Sequence, residues 1–267
     1  MQTIAHISDL HFGKANRRTE EALLKELKAL RPALTVVSGD LTRRAFLRQF
    51  KRASAFLERL PKPSIIVPGN HDVPVAFAHR FLAPLARYKY FINTQLSPVR
   101  LDREFCILGL NTVRSFAIEA GGFSRRQLLR AERILRTFPK RTLKIILTHH
   151  PFIRPPGIPR YRRLLVGAEM ALETFERCGV DLIIAGHFHR PHIADIRGWY
   201  PHIGRSMIHA QVGIALGKHM RNDLLSYNVL SLSRNRISIA VKVWNGEAFE
   251  ETSVTTYRRN AQGWKTD

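Results

Sequence analysis

Five apolar, strand-like runs in this chain each stop at a short stretch that carries Asp, Asn or His. The runs are Ile4 to Ile7, Leu34 to Val37, Ile65 to Val67, Ile145 to Leu147 and Leu182 to Ala185. Their length, flanking breakers and β-branched content favour buried strand over helix. The stretches that follow are, in order, Asp9-Leu10-His11, Gly39-Asp40, Gly69-Asn70-His71-Asp72, His149-His150-Pro151 and Gly186-His187-Phe188-His189. A chain built this way gathers donor groups at one edge of a sheet, and that edge is where α/β proteins hold ligands. The pattern points to a metal centre.

The donor types say which metals. Asp9 and His11 stand two apart, so on an extended segment they point the same way and can reach one ion together. His187 and His189 repeat that spacing with two imidazoles, and Gly39 lets the backbone turn sharply before Asp40. Mixed carboxylate, amide and imidazole donors suit Mn, Fe, Zn or Co better than calcium or thiolate-seeking metals. Asp9, His11, Asp40, Asn70, His149, His187 and His189 are too many for one catalytic ion that keeps an open position. Two divalent ions sharing a bridging carboxylate accommodate them. Such ions, roughly 3.5–4 Å apart, clamp both the nucleophile and the non-bridging oxygens of an in-line displacement at phosphorus. A water shared between them would be hydroxide near neutrality, since one divalent ion brings bound water to a pKa of about 7. His71 sits beside a ligand and is not needed as one, which suits it to proton transfer.

The rest of the chain reads as one α/β unit over 1–267, with the motifs within 4–190 and a mainly β part over 191–257. Thr19 to Leu30 and Thr42 to Leu60 have amphipathic helical spacing, the second with Phe46, Phe50, Ala53, Phe56, Leu57 and Leu60 inward. Leu101 to Leu110 reads as a hairpin turning near Asp102 to Glu104. Ser124 opens a capping-box helix to about Thr137, and Gly167 to Cys178 forms another, ended by Gly179. Met207 to Val212, Tyr227 to Leu232, Arg236 to Val243 and Phe249 to Thr255 are strand-like. Cys106 and Cys178 lie in apolar contexts and read as buried thiols, which fits a reducing, cytoplasmic setting. No run is long enough to span a bilayer, and Met1 leads straight into a strand.

The ordered motifs resemble the calcineurin-like metallophosphoesterase superfamily, whose signature is D-x-H, GD, GNH(D/E), H and GH-x-H. Every position is filled. The resemblance implies a four-layer αββα sandwich with two mixed β-sheets, helices on both outer faces and a dinuclear site at one sheet edge. It also implies roles. Asp9, His11 and His189 would hold the first metal, and Asn70, His149 and His187 the second, with Asp40 bridging. His71 would protonate or stabilise the leaving oxygen, and Asp72 would orient it. Val-Pro-Gly-Asn-His-Asp-Val-Pro and Thr-His-His-Pro resemble the cyclic-nucleotide phosphodiesterase-like branch of bacterial enzymes, although Phe152 stands where a second proline is often found.

A formal charge of +22 predicts attraction to polyanions. Arg154, Arg160, Arg162 and Arg163 follow the expected ligand His149 and would overhang the metals, where guanidinium forks suit phosphate oxygens. Arg43 and Arg44 just past Asp40, His150 beside His149, and Asn111 with Arg114 complete the substrate-binding candidates. The expected partner is a small phosphorylated substrate. Residues 77–91 alternate aromatic and basic side chains, and read either as core with a charged face or as a lip resting on an anionic membrane. The leading expectation is a metal-dependent phosphodiesterase or phosphatase. The alternatives are a peripheral-membrane pyrophosphohydrolase of a nucleotide-linked lipid such as UDP-diacylglucosamine, a nuclease, and a non-catalytic scaffold. The nuclease ranks lower because no added nucleic-acid module is visible, and the complete ligand set speaks against the scaffold.

Overall fold

Apolar side chains fall into three separate buried layers in the computed structural model, which describes residues 1–217 and 224–267. Three apolar seams require four layers of secondary structure. The middle seam joins two sheets face to face: Ile4, Val36, Ile65 and Leu230 of one meet Ile107, Ile145, Leu182 and Ile208 of the other.

The first sheet is built around β1 (Gln2–Ile7), which pairs in parallel with β2 (Leu34–Val37); β2 pairs in parallel with β3 (Ser64–Ile66). Helices α1 (Arg17–Leu30) and α2 (Leu47–Arg59) make the crossovers and bury Leu23, Leu27, Phe50 and Phe56 against the sheet's outer face. Two short helices follow, α3 (Phe77–Leu82) and α4 (Ala86–Phe91). The second sheet begins with the hairpin of β4 (Val99–Leu101) and β5 (Phe105–Gly109), turning over Asp102 to Glu104. After α5 (Arg125–Thr137) come β6 (Leu143–Leu147), α6 (Ala168–Cys178), β7 (Leu182–Ala185), β8 (His192–Asp195) and β9 (Ile208–Gln211). Strands β5, β6, β7 and β9 run parallel, with β4 and β8 antiparallel at the edges. The chain then returns to the first sheet. There β10 (Ser226–Ser233) pairs antiparallel with β1, followed outward by β11 (Arg236–Trp244), β12 (Phe249–Asn260) and β13 (Gly263–Thr266). This is the expected αββα sandwich of two mixed sheets.

The main local departure is at the start of α2. The periodicity of Thr42 to Leu60 suggested a helix beginning at Thr42, yet it begins at Leu47, and Ala45 adopts a left-handed backbone. Residues 41–45 are held otherwise: the backbone N–H groups of Leu41 and Thr42 donate to Asp72, and Ala45 N–H donates to the Thr42 hydroxyl. Phe46, expected inward, is therefore exposed. The strands β8 and β13 are too short and too mixed in polarity to stand out in the sequence. Cys106 and Cys178 are both buried and unpaired. Among the described residues, no helix is long and apolar enough to cross a membrane.

Candidate metal centre

The five motifs sit on the loops that leave β1, β2, β3, β6 and β7, so both sheets deliver donors to the same end of the sandwich. The backbone there is unusual. Asp9, His11, Asp40, His187 and His189 all have φ between 44° and 80°, a region that non-glycine residues seldom occupy. Each such residue costs about 1–3 kcal/mol, so the clustering marks a place where conformation serves function. This also corrects one step of the sequence argument. Asp9 and His11 do converge, but through two left-handed residues and not along an extended strand.

Close packing of the loops explains the motif glycines. A Cβ on Gly69 would collide with the Asp40 carboxylate and backbone, and one on Gly186 with Ser8 Oγ and Asp9 Oδ2.

The donors form two adjoining groups. In one, His189 Nε2 lies 3.1 Å from both Asp9 Oδ1 and His11 Nε2, and His11 Nε2 lies 3.9 Å from Asp40 Oδ2. In the other, Asn70 Oδ1 lies 3.0 Å from His149 Nε2 and 3.2 Å from His187 Nδ1, while His149 Nε2 lies 3.3 Å from Asp40 Oδ2. Asp40 touches both groups.

Several second contacts aim these atoms. His187 N–H donates to Asp9 Oδ2 at 3.1 Å, and His71 N–H donates to Asp40 Oδ1 at 2.8 Å, leaving the other carboxylate oxygen directed inward. Asn70 Nδ2 donates to the Ile118 carbonyl at 3.3 Å, which turns Oδ1 toward the histidines. His149 Nδ1 lies 2.7 Å from the Ser38 carbonyl, and Ser38 Oγ lies 2.9 Å from His6 Nε2.

These contacts test whether a cation fits. A carbonyl can only accept, so His149 Nδ1 carries a proton and Nε2 is the nitrogen turned toward the centre. His149 Nε2 faces Asn70 Oδ1 and Asp40 Oδ2, an arrangement that calls for positive charge among the three, either a proton on Nε2 or a cation in its place. Spacings near 3 Å are also what adjacent ligands about 2.1 Å from one ion, at right angles, would have. The residues fit divalent metal in both groups.

Electrostatics agree. Burial would raise the Asp40 carboxyl, but the imidazoles of His149, His71 and His11 outweigh it and hold the group well below the usual carboxylate range. Burial would lower His149, but Asp40 and Asp9 outweigh it and raise the ring to about 9. Burial keeps His11 and His187 neutral, aided at His187 by the neighbouring His150 and His149 rings. Neutral imidazole is the form that binds metal, so a cation in the second group would displace the proton that Asp40 and Asp9 favour on His149.

His71 Nδ1 lies 2.8 Å from the Arg43 carbonyl, so that carbonyl orients the ring. Asp72 acts one step back. Its buried carboxylate accepts from the backbone of Gly69, Leu41 and Thr42 and from the Thr42 hydroxyl, tying the third motif to the second. Burial and the charge of Asp40 push it up to about 6.

An open cavity of about 350 Å³ exposes this centre, lined by Asp40, Asn70, His71, His187 and His189 together with other residues. Of the substrate-binding candidates, Arg43 and Arg162 line it. Arg162 pairs with Glu119 and lies over the Phe188 ring at 5.4 Å. The others stand elsewhere. Arg44 lines a neighbouring cavity, and Arg160 and Arg163 are exposed on the loop beyond. Arg154 turns back to the carbonyls of Arg160 and Arg162, bracing the loop. His150 is buried against Thr112 Oγ1 at 2.7 Å, while Asn111 caps its own turn and Arg114 pairs with Gln127. Arg80, Ile118 and Glu119 also line the cavity, none of them among the candidates read from the sequence. Glu119 had a visible signal, as the one acid between Glu104 and Glu132.

The family model described as calcineurin-like phosphoesterase matches residues 2–191. The chain belongs to that family. Among proteins similar to this calcineurin-like phosphoesterase is one named a probable glycerophosphodiester phosphodiesterase, GpdQ, from Arcobacter nitrofigilis. It is 29% identical over 167 residues, covering 60% of this chain and 58% of that protein. A probable cyclic nucleotide phosphodiesterase from Rhodopseudomonas palustris is 28% identical over 218 residues, covering 78% and 76%. The fold is shared with a purple acid phosphatase from yellow lupin (TM-score 0.70, 13% identity, 98% of this chain and 54% of that one). It is shared equally with PhoD (TM-score 0.74, 10% identity, 99% and 71%).

Proposed function

We propose that this calcineurin-like phosphoesterase is a dinuclear metal-dependent hydrolase of a small phosphodiester or phosphomonoester. The observation that carries this reading is the convergence of seven donor side chains, with Asp40 shared between two groups, at the floor of an open cavity. Asp9, His11 and His189 would hold one ion, and Asn70, His149 and His187 the other. When bound, two divalent cations supply Lewis acidity toward phosphorus and an activated water.

The chain's own residues do the rest. His71 donates through Nδ1 to the Arg43 carbonyl, which leaves Nε2 as the nitrogen that would pass a proton to a leaving alkoxide. Asp72 holds the turn that carries His71 and Asn70 against Asp40. Arg43 and Arg162, at the cavity wall, suit the non-bridging oxygens of a bound ester. The names of the similar proteins support a diester over a monoester. Manganese, iron, zinc and cobalt all match the donors.

The test is hydrolysis of bis(p-nitrophenyl) phosphate by the purified chain with added manganese. Turnover that disappears in Asp40→Ala and falls steeply in His71→Ala is expected. A metal-loaded protein that cleaves no phosphoester would overturn the reading.

A further inference from the structure

The aromatic and basic stretch over 77–91 divides in the structure. Tyr88 is buried with its hydroxyl on the Ile66 carbonyl, Phe91 stacks on Phe50, and Arg80 is buried, so this half is core. Leu82 and Tyr90 of the stretch stay exposed, and a further set of exposed apolar side chains lies at or beside the cavity mouth. Phe116 is 90% exposed, Ile118 80%, Tyr161 79% and Val75 72%. Val75 and Ile118 line the cavity, Phe116 stands two residues before Ile118 on the same loop, and Tyr161 precedes Arg162 of the cavity wall. Three separate loops thus raise apolar tips around a single opening.

Isolated exposed apolar residues are ordinary, but several ringing one functional opening are not. Their neighbours are cationic. Arg44, Arg160 and Arg163 are exposed on these or adjoining loops, and the rim acid Glu119 is already matched to Arg162. The whole chain carries +22.

We propose that this rim docks on an anionic lipid bilayer, with Phe116, Ile118, Tyr161 and Val75 entering the interface and the flanking arginines meeting lipid phosphates. Aromatic and aliphatic tips set among arginines are the chemistry of interfacial binding. A nucleic acid would satisfy the arginines but would leave Phe116 and Ile118 in water. Separate tips on loops also suit a deformable surface better than a rigid partner. The metal centre would then face the headgroups. That consequence rests on the proposed hydrolase reading, whereas docking itself does not.

The experiment is co-sedimentation of the full chain with vesicles at about 150 mM salt, where exposed charges are screened beyond about 8 Å. Vesicles of phosphatidylcholine alone are compared with vesicles that also contain phosphatidylglycerol. The expected result is binding to the mixed vesicles, reduced about tenfold or more in Phe116→Ser/Tyr161→Ser, with hydrolysis of bis(p-nitrophenyl) phosphate unchanged. Equal binding of wild type and double variant would reduce the effect to bulk charge and overturn the proposal. A wild-type chain that stays in the supernatant but binds duplex DNA would overturn it in favour of nucleic acid, and one that binds neither would overturn it outright. Vesicle binding by a chain that hydrolyses no ester would uphold docking while counting against the hydrolase.

Discussion

The guanidinium of Arg80 lies 2.7 Å from the carbonyl oxygen of Ala117 and spans on to Ser115 at 2.8 Å, fixing the loop that orients Asn70. The next carbonyl in that loop, Ile118, takes the Asn70 amide proton. Asn70 can present its oxygen to His149 and His187 only while that carbonyl stays in place. Arg80 is thus a positioning residue for the second donor group, although it touches none of the donors.

Arg80→Ala should therefore weaken one of the two proposed metal sites and spare the other. Loss of an outer contact that orients a ligand typically lowers metal affinity 10–100-fold. Manganese titration calorimetry should show one site near wild-type affinity and one shifted by about that factor. Two sites weakened equally, or neither, would count against the route through Ile118.

Metal removal should lower the stability of the fold, because an ion that binds only where folding brings His149, Asn70 and Asp40 together stabilises the folded state by mass action. A ligand at 100 times its dissociation constant adds about 2.7 kcal/mol per site. For a chain of this size that corresponds to roughly 5–10 °C in Tm, at about 2–4 °C per kcal/mol. Differential scanning fluorimetry should show Tm falling on chelation and returning with manganese. An unchanged Tm would mean that the centre holds no ion in the folded protein.

These relationships divide cleanly into what the residues announced and what they hid. The strands β1, β2, β3, β6 and β7 were legible because fully buried strands are continuous apolar runs, and the donors were legible because each begins where a run ends. The ligand loops' left-handed backbone was hidden, since the enrichment of Asp and His in that region is too small to mark single positions; the adjoining glycines hint only at crowding. Arg80 was hidden for another reason. A buried arginine that binds three carbonyls looks, in a basic stretch, like any solvated one. The arginines after His149 failed differently: proximity in sequence suggested a roof over the metals, but Arg154 spends its donors on its own loop and only Arg162 reaches the wall.

Gly69→Ala should separate activity from overall folding. The added methyl would lie against the Asp40 backbone and its carboxylate, which His71 N–H holds, and neither can yield without moving the group proposed as the shared ligand. Activity on bis(p-nitrophenyl) phosphate should fall at least about 100-fold, since a displacement near 1 Å at a catalytic group can have that effect. Gly198→Ala, where a Cβ meets nothing within 4 Å, should stay within about 0.5 kcal/mol of wild type and keep full activity. Comparable losses in both variants would show that the Gly69 effect is not specific to the centre.

Acid sensitivity should trace in part to His209, a buried residue of β9 that accepts a hydrogen bond from Phe152 N–H at 3.3 Å. Burial, with the nearby His192 and His6 rings adding to it, lowers its pKa from 6.5 to about 3. Between those values the unfolded chain binds the proton and the folded chain does not, so stability falls as pH drops through this window. The full contribution is present above pH 6.5. From there to pH 5 the loss is about 2 kcal/mol, at 1.36 kcal/mol per pH unit. In His209→Gln the amide oxygen can accept the same N–H without titrating. Urea unfolding of wild type and variant at pH 7 and pH 5 should show the difference between them shrinking by about 2 kcal/mol at the lower pH. The metal ligands titrate alike in both proteins and cancel in that comparison, so parallel pH profiles would show that His209 accepts a proton within the folded core.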